Sequence, residues 1–222
     1  MQRYLHYLRV EQPPAAETAV GARERLGARF PRGAARRMTH LGMLLGAALE
    51  GLAVTEEDAV VYATTFAETR ALEDFLASFP AASPLLFQTS IHPGGIQQVL
   101  IGLQQPVTRL WPLAGRSRLV EQALLTALLE PAARVVLVGG EERGTWLLEQ
   151  KLANDRAFAF ALLLTHEAAG SLGRVTLDVT AGAGPEVPPT PAPTLAGFAD
   201  ALAVRQGLGW RGVDGNWQLE VR

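Results

Sequence analysis

The sequence predicts an α/β domain: a central mixed sheet, flanked by helices, in a layered arrangement. Three observations predict it. Short apolar runs alternate along the chain with segments whose apolar residues recur at three- and four-residue steps. The strand–helix–strand run over residues 107–138 has the dimensions of a βαβ unit, which implies a parallel pair with a right-handed crossover. The chain has 222 residues, 48% hydrophobic and 19% charged, enough to bury the core of one medium domain.

Residues 4–10 alternate weakly and read as a first strand, ended by Pro13-Pro14. Residues 15–33 are rich in Ala, Arg, Glu and Gly and read as loop with a short helix. In 36–52, Met38, Leu41, Leu45, Leu49 and Leu52 fall on one helical face. Residues 59–63 form a short buried strand. A second amphipathic helix follows over 68–79, with Leu72, Phe75, Leu76 and Phe79 as its stripe. Pro80 and Pro84 then bound a loop. Residues 94–105 read as a helix burying Ile96, Val99, Leu100 and Leu103, and 107–113 as a strand. The helix at 117–130 has the clearest periodicity, through Leu119, Val120, Ala123, Leu124, Ala127 and Leu128, and Pro131 closes it. Residues 134–138 form a central strand, with Gly139-Gly140 turning the chain at its end. Two more strands are expected at 157–164 and 174–180. The domain therefore spans 1–182. A proline-rich linker follows at 183–194, and then a C-terminal unit at 195–222, a helix and a β-hairpin packed on the domain.

Composition excludes several chemistries. With no cysteine there is no disulfide, thiolate metal site or cysteine nucleophile. Lys151 is the only lysine, so Schiff-base chemistry has a single candidate. The histidines lack metal-ligand spacing, and Gly139 to Gly144 match no nucleotide-binding fingerprint. No cofactor or metal is expected. A net charge of −2 gives no bulk attraction to nucleic acid. No apolar run approaches the roughly 20 residues of a membrane span. A cytoplasmic location is expected. The one cationic concentration is Arg23, Arg25, Arg29, Arg32, Arg36 and Arg37. Glu141-Glu142, with Glu149 and Asp155, read as a solvated acidic surface.

Several segments in order carry a resemblance: Arg36-Arg37-Met38 at a helix start; Val60-Val61-Tyr62-Ala63-Thr64-Thr65; Ser83-Pro84-Leu85-Leu86-Phe87-Gln88-Thr89-Ser90-Ile91-His92; Leu113-Ala114-Gly115-Arg116-Ser117; and Arg134-Val-Val-Leu-Val-Gly-Gly-Glu-Glu142. Together, over about half of the chain, they resemble the amino-terminal half of the β-ketoacyl synthases. The resemblance implies a thiolase-like half-fold, and relatives of the chain-length-factor and aryl-polyene type. It also implies a strand-to-helix corner where that family holds a nucleophilic cysteine. By the spacing to Gly139-Gly140 that place falls on Ala114, which cannot attack a thioester. Nothing after Glu142 resembles the family's second half, with its two histidines and glycine-rich oxyanion segment.

The resemblance therefore implies a non-catalytic ketosynthase-like component of a fatty-acid-like, polyketide or aryl-polyene pathway, acting as a homodimer or as a heterodimer with a ketosynthase. The strand at 107–113, with Val107, Arg109 and Trp111, is the expected pairing edge. Arg36 and Arg37 would steer an acidic acyl carrier protein. Ala114, Arg116, Ser117, Ser90 and His92 are the candidate substrate-binding residues, Ser117 doubling as the N-cap of the following helix. Two alternatives stand beside this reading. One is an acyl-thioester decarboxylase or hydrolase using Ser90, His92 or Ser117. The other is an acyl-chain binding module in a groove near Ala114.

Overall fold

The computed structural model describes residues 1–15, 17–31, 33–179 and 191–222, so most of the expected linker, residues 183–190, lies outside the described residues. The chain order is β1 (Gln2–Glu11), α1 (Ala19–Leu26), α2 (His40–Ala48), β2 (Ala59–Thr64), α3 (Thr69–Ala77), α4 (Pro84–Ser90), α5 (Gly94–Gly102), β3 (Arg109–Ala114), α6 (Leu119–Leu129), β4 (Arg134–Glu141), α7 (Trp146–Glu149), β5 (Phe158–Thr165), β6 (Gly173–Asp178), α8 (Leu195–Ala203), β7 (Leu208–Gly212) and β8 (Gly215–Val221). No helix among the described residues is long and apolar enough to cross a membrane.

The strands form one sheet in the order β3-β2-β4-β5-β1-β6-β8-β7. β2 is parallel to both β3 and β4, and every other pairing is antiparallel. The strands flanking the expected βαβ helix are therefore parallel but not neighbours, because β2 lies between them. The terminal hairpin is not a separate layer laid on the domain. It extends the sheet through β6.

Two cores cover the sheet. On one face α6 and α8 pack over β2, β4, β5 and the terminal strands, with Phe160 edge-on to Phe198 at 5.5 Å. On the other, α1, α2 and α5 cover Val60, Tyr62, Val136 and Val138. The expected stripe of α6 is buried throughout. All nine residues of α2 are buried, so it is a core helix rather than one with a single inward face. Helix starts follow local chemistry: Thr39, Ser83 and Thr194 each accept an N–H from the first turn they precede. Arg3, wholly buried, donates to the carbonyls of Glu130, Ala132 and Ala133, closing the far end of α6.

Three expectations are corrected here. Gly139 and Gly140 do not turn the chain; β4 runs through both. A Cβ at 139 would lie 2.6 Å from the Phe160 ring, and one at 140 would lie 2.7 Å from the Phe158 carbonyl, so the pair permits close strand approach. Ser117 does not cap α6; the cap residue is Arg118, in the left-handed region at φ 59°, without a side-chain cap. The stripe of α3 is inverted: Leu72, Leu76 and Phe79 are exposed, while Thr69, Ala71 and Glu73 face inward.

Candidate functional site

The carboxyl ends of the parallel strands β2, β3 and β4 lie along one edge of the sheet, the usual place for function in a parallel α/β layer. Ala114 ends β3, in register with Thr64 at the end of β2, and Gly115 donates its N–H to the Thr64 carbonyl at 3.2 Å. Residues 115–118 then turn the chain into α6. Ala114 thus occupies a strand-to-helix corner, exposed and bearing only a methyl group. The Arg116 guanidinium lies 4.9 Å from the Phe66 ring and donates to the Lys151 carbonyl. Ser117 is exposed and makes no hydrogen bond. Arg118 pairs with buried Glu121 at 2.7 Å and with Asp214 of the terminal hairpin at 2.6 Å. Glu121 also accepts from the Trp210 indole at 3.2 Å.

Ser90 and His92 lie apart from this corner, on the side of the sheet covered by α2 and α5. Ser90 Oγ donates to the Phe87 carbonyl at 2.8 Å, closing the last turn of α4 rather than meeting His92. The His92 ring stacks on Tyr62 at 5.1 Å and brings Nδ1 within 4.0 Å of Glu68. Burial holds this imidazole below its ordinary pKa.

Sequence reasoning missed the main polar feature. Glu141 and Glu142 are not a solvated surface; both are completely buried, as are Glu68 and Glu73 to within 2%. Each carboxylate accepts from one or two backbone N–H groups. Glu142 accepts from Leu41 N at 3.2 Å and Arg70 N at 2.7 Å, joining the starts of α2 and α3. Glu68 accepts from Gly95 N at 2.9 Å in the first turn of α5. Glu73 accepts from Thr145 N at 2.7 Å and Leu147 N at 3.0 Å. Glu141 accepts from the Thr64 hydroxyl and Thr65 N in the turn after β2. Burial, reinforced for Glu142 by the nearby Glu68, raises these acids: Glu68 and Glu141 to about 7, Glu142 to about 8. Tyr62 is pushed well above its ordinary value by burial and by the acids around it. Glu68, Glu73 and Glu142 hold helix starts, and Glu141 holds the turn after β2. One sequence signal pointed to them: α3 and α5 begin at Glu68 and Pro93 without a local side-chain cap, so their acceptors must come from elsewhere.

The expected partner residues fall in two places. β3 pairs only with β2 and forms an outer edge of the sheet. Arg109 and Trp111 there both reach Glu130, at 2.9 and 2.7 Å, while Val107 is half-buried just before the strand. Gly115 N–H points to β2, so by alternation the ring nitrogen of Pro112 faces outward, and proline removes a donor from the free edge rather than from the ladder. The arginine concentration divides. Arg25 and Arg29 are tied to Glu17, Glu11 and Glu50. Arg32 lies outside the described residues. Arg36 and Arg37 are exposed and have no ion-pair partner among the described residues, and with Arg23 and Arg70 they rim a cleft of about 580 Å³ against the starts of α2 and α5.

No family model matches the chain, and no curated protein matches it. Solved structures do. A chain from the complex of the ketosynthase ApeO with its chain length factor ApeC, from Xenorhabdus doucetiae, superposes with a TM-score of 0.65 over 99% of this chain and 99% of that chain, at 17% identity. A chain of the ishigamide ketosynthase/chain length factor gives 0.57 over 81% and 68%, at 12% identity. A β-ketoacyl synthase from Burkholderia phymatum STM815 gives 0.50 over 72% of this chain and 53% of that chain, at 14% identity. The likeness is one of fold: this chain has the thiolase-like fold of the ketosynthases, as its sequence motifs imply.

Proposed function

We propose that this chain is the non-catalytic member of a ketosynthase pair in a polyketide or aryl-polyene pathway, joined to a ketosynthase along β3. The observation that carries the reading is the corner at residues 114–118. It has the strand-to-helix form that would present a nucleophile, yet it holds alanine, and neither Ser90 nor Ser117 has a base beside it. The end-to-end superposition on a chain from a ketosynthase–chain length factor complex supports the partnership.

The test is co-expression with a ketosynthase from the same genome, followed by size-exclusion chromatography with light scattering. A one-to-one complex is expected, weakened at least tenfold by Trp111→Arg. A chain that stays monomeric beside the ketosynthase, and alone turns over malonyl or acetyl thioesters with loss on His92→Ala, overturns the proposal in favour of an enzyme.

Acyl carrier protein docking belongs to the same proposal, at Arg36 and Arg37. Because the attraction is electrostatic, carrier binding to the complex should fall steeply between low and 0.5 M salt. It should be lost when both arginines are changed to glutamate. Binding indifferent to salt and to charge reversal removes the carrier protein from the proposal.

A further inference from the structure

We infer that the arginine-rimmed cleft beside the starts of α2 and α5 is a binding site for a small anionic amphiphile, a carboxylate or phosphate head on an aliphatic arm. None of its lining residues belongs to the corner at Ala114 or to β3. The site is therefore independent of the partnership proposed above.

Charge sets the head end. Arg23, Arg36, Arg37 and Arg70 line the cleft, and Asp74 is the one carboxylate among its lining residues. Arg70 is paired with Glu73 at 3.1 Å. The other three have no ion-pair partner among the described residues, whereas Arg9, Arg25, Arg29, Arg109, Arg118 and Arg134 all reach carboxylates. Arg23 is held in place through Nε, which donates to the Ala35 carbonyl at 3.3 Å. Glu17, the acid beside His40 on the same wall, is taken by Arg25 at 2.6 Å. Guanidinium groups converging on a concave site focus a positive field there, although the whole chain carries −2. Their planar forks match the oxygens of a carboxylate or a phosphate.

Shape sets the arm end. Met38, Leu85, Leu86 and Ile101 give the 580 Å³ cleft an aliphatic wall. Arg37, Met38, Gln98 and Ile101 also line a second groove of about 460 Å³, so the two are continuous. The second groove adds only small residues, Gly33, Ala34 and Gly102. A Cβ at Gly102 would lie 2.7 Å from Met38 Cε and 3.2 Å from Ala34 Cβ, so glycine keeps the groove open. Gly94 lines the head end and Gly102 the far end, eight residues apart on α5, about 12 Å of helix. An extended alkyl chain of medium length spans that distance.

The lining selects the occupant. No Phe, Tyr or Trp lines either groove, so nothing there stacks on a nucleobase, and the aliphatic walls suit an alkyl chain. A neutral lipid or a cationic one would leave the arginines without a partner. An amphiphile lying in the cleft covers Arg36 and Arg37, so it competes with a carrier protein for them; this last step rests on the carrier docking proposed above.

The experiment titrates the full chain with octanoate and with octyl phosphate by isothermal calorimetry, with octanol and octyltrimethylammonium as controls. One-to-one binding of at least one anion is expected, tenfold or more tighter than either control. The anion that binds better identifies the head. Arg36→Gln/Arg37→Gln should weaken it at least tenfold. Ala34→Leu, which fills the arm groove and leaves every arginine in place, should weaken it about tenfold. Gly102→Ala narrows the same groove from its other side and replaces Ala34→Leu if thermal melts show that variant unfolded. The octyl anion should also displace carrier protein from wild type at concentrations that leave Ala34→Leu occupied by the carrier. Binding of neither anion, or binding undiminished in both the charge and the groove variants, overturns the inference and leaves the partnership and carrier docking as they stand. Octanol binding as tightly as the anions makes the cleft a plain apolar groove and overturns it too. Anion binding as expected, in a chain to which no carrier protein docks, upholds the site and removes only the competition.

Discussion

Glu142 shows how much one side chain holds at the strand ends. Its two oxygens accept from Leu41 N and Arg70 N, so a single carboxyl anchors the starts of two helices on one side of the sheet. Removing it leaves two buried amides without an acceptor. At about 1–3 kcal/mol for each, Glu142→Ala should cost roughly 2–6 kcal/mol in urea unfolding. Glu142→Gln keeps one acceptor oxygen and should cost less than half of that. Equal losses in the two variants would show that volume, not hydrogen bonding, is what the site requires. The sequence places the pair at 141–142 in solvent because charge normally marks the surface. Nothing local in Glu-Glu-Arg-Gly reveals that Glu141, ending β4, meets the turn after β2, and that Glu142, just past it, meets two helix starts lying far away in the chain. Ala114 is the opposite case. The resemblance, by the spacing back from Gly139-Gly140, implies a strand-to-helix corner at this residue, and β3 ends on it.

Among the elements, legibility followed locality. α6 and its six buried residues were readable because periodicity is a property of the segment itself. The terminal hairpin was readable from its turn residues, with stacked Trp210 and Trp217 beneath it at 5.8 Å. α4 follows the loop that Pro80 and Pro84 bound and carries no apolar periodicity to announce it, yet Ser83-Pro84 is a helix-start signal, with Ser83 accepting from Leu86 N and proline in the first turn. Periodicity finds α3 and, because apolar faces usually turn to the core, assigns its stripe inward. A helix can point that stripe at a partner instead when buried polar contacts, here Glu73 to Thr145 and Leu147, hold its other face. Strand order was the least readable feature. Placing β1 between β5 and β6, and β2 between β3 and β4, depends on long-range pairing that no segment encodes alone.

For the whole molecule, the buried acids make stability depend on pH in a definite direction. Unfolded, Glu68, Glu141 and Glu142 titrate near 4.5; folded, they titrate near 7, 7 and 8. Between those values the folded chain keeps protons that the unfolded chain has released. Their contribution to stability is therefore complete below about 4.5 and is lost as pH rises through 7 to 8. The protons have a place to sit, because one oxygen of Glu68 and one of Glu141 accept no hydrogen bond. His40 and His92 act in the opposite sense. Burial holds both below 6.5, so they cost stability as pH falls under that value. Glu17, lowered by its hydrogen bond to Arg25, adds a further loss in acid. The melting temperature should accordingly peak near about pH 5 and fall by several degrees as pH rises to about 8, levelling off beyond. Glu142→Gln should melt lower at pH 6 yet lose less between pH 6 and 9, because the group with the highest pKa no longer titrates. Thermal melts of both proteins across that range decide the matter. A wild-type curve flat from pH 6 to 9 would mean that the acids ionise inside the fold without cost, and that water or a rearranged strand end reaches them.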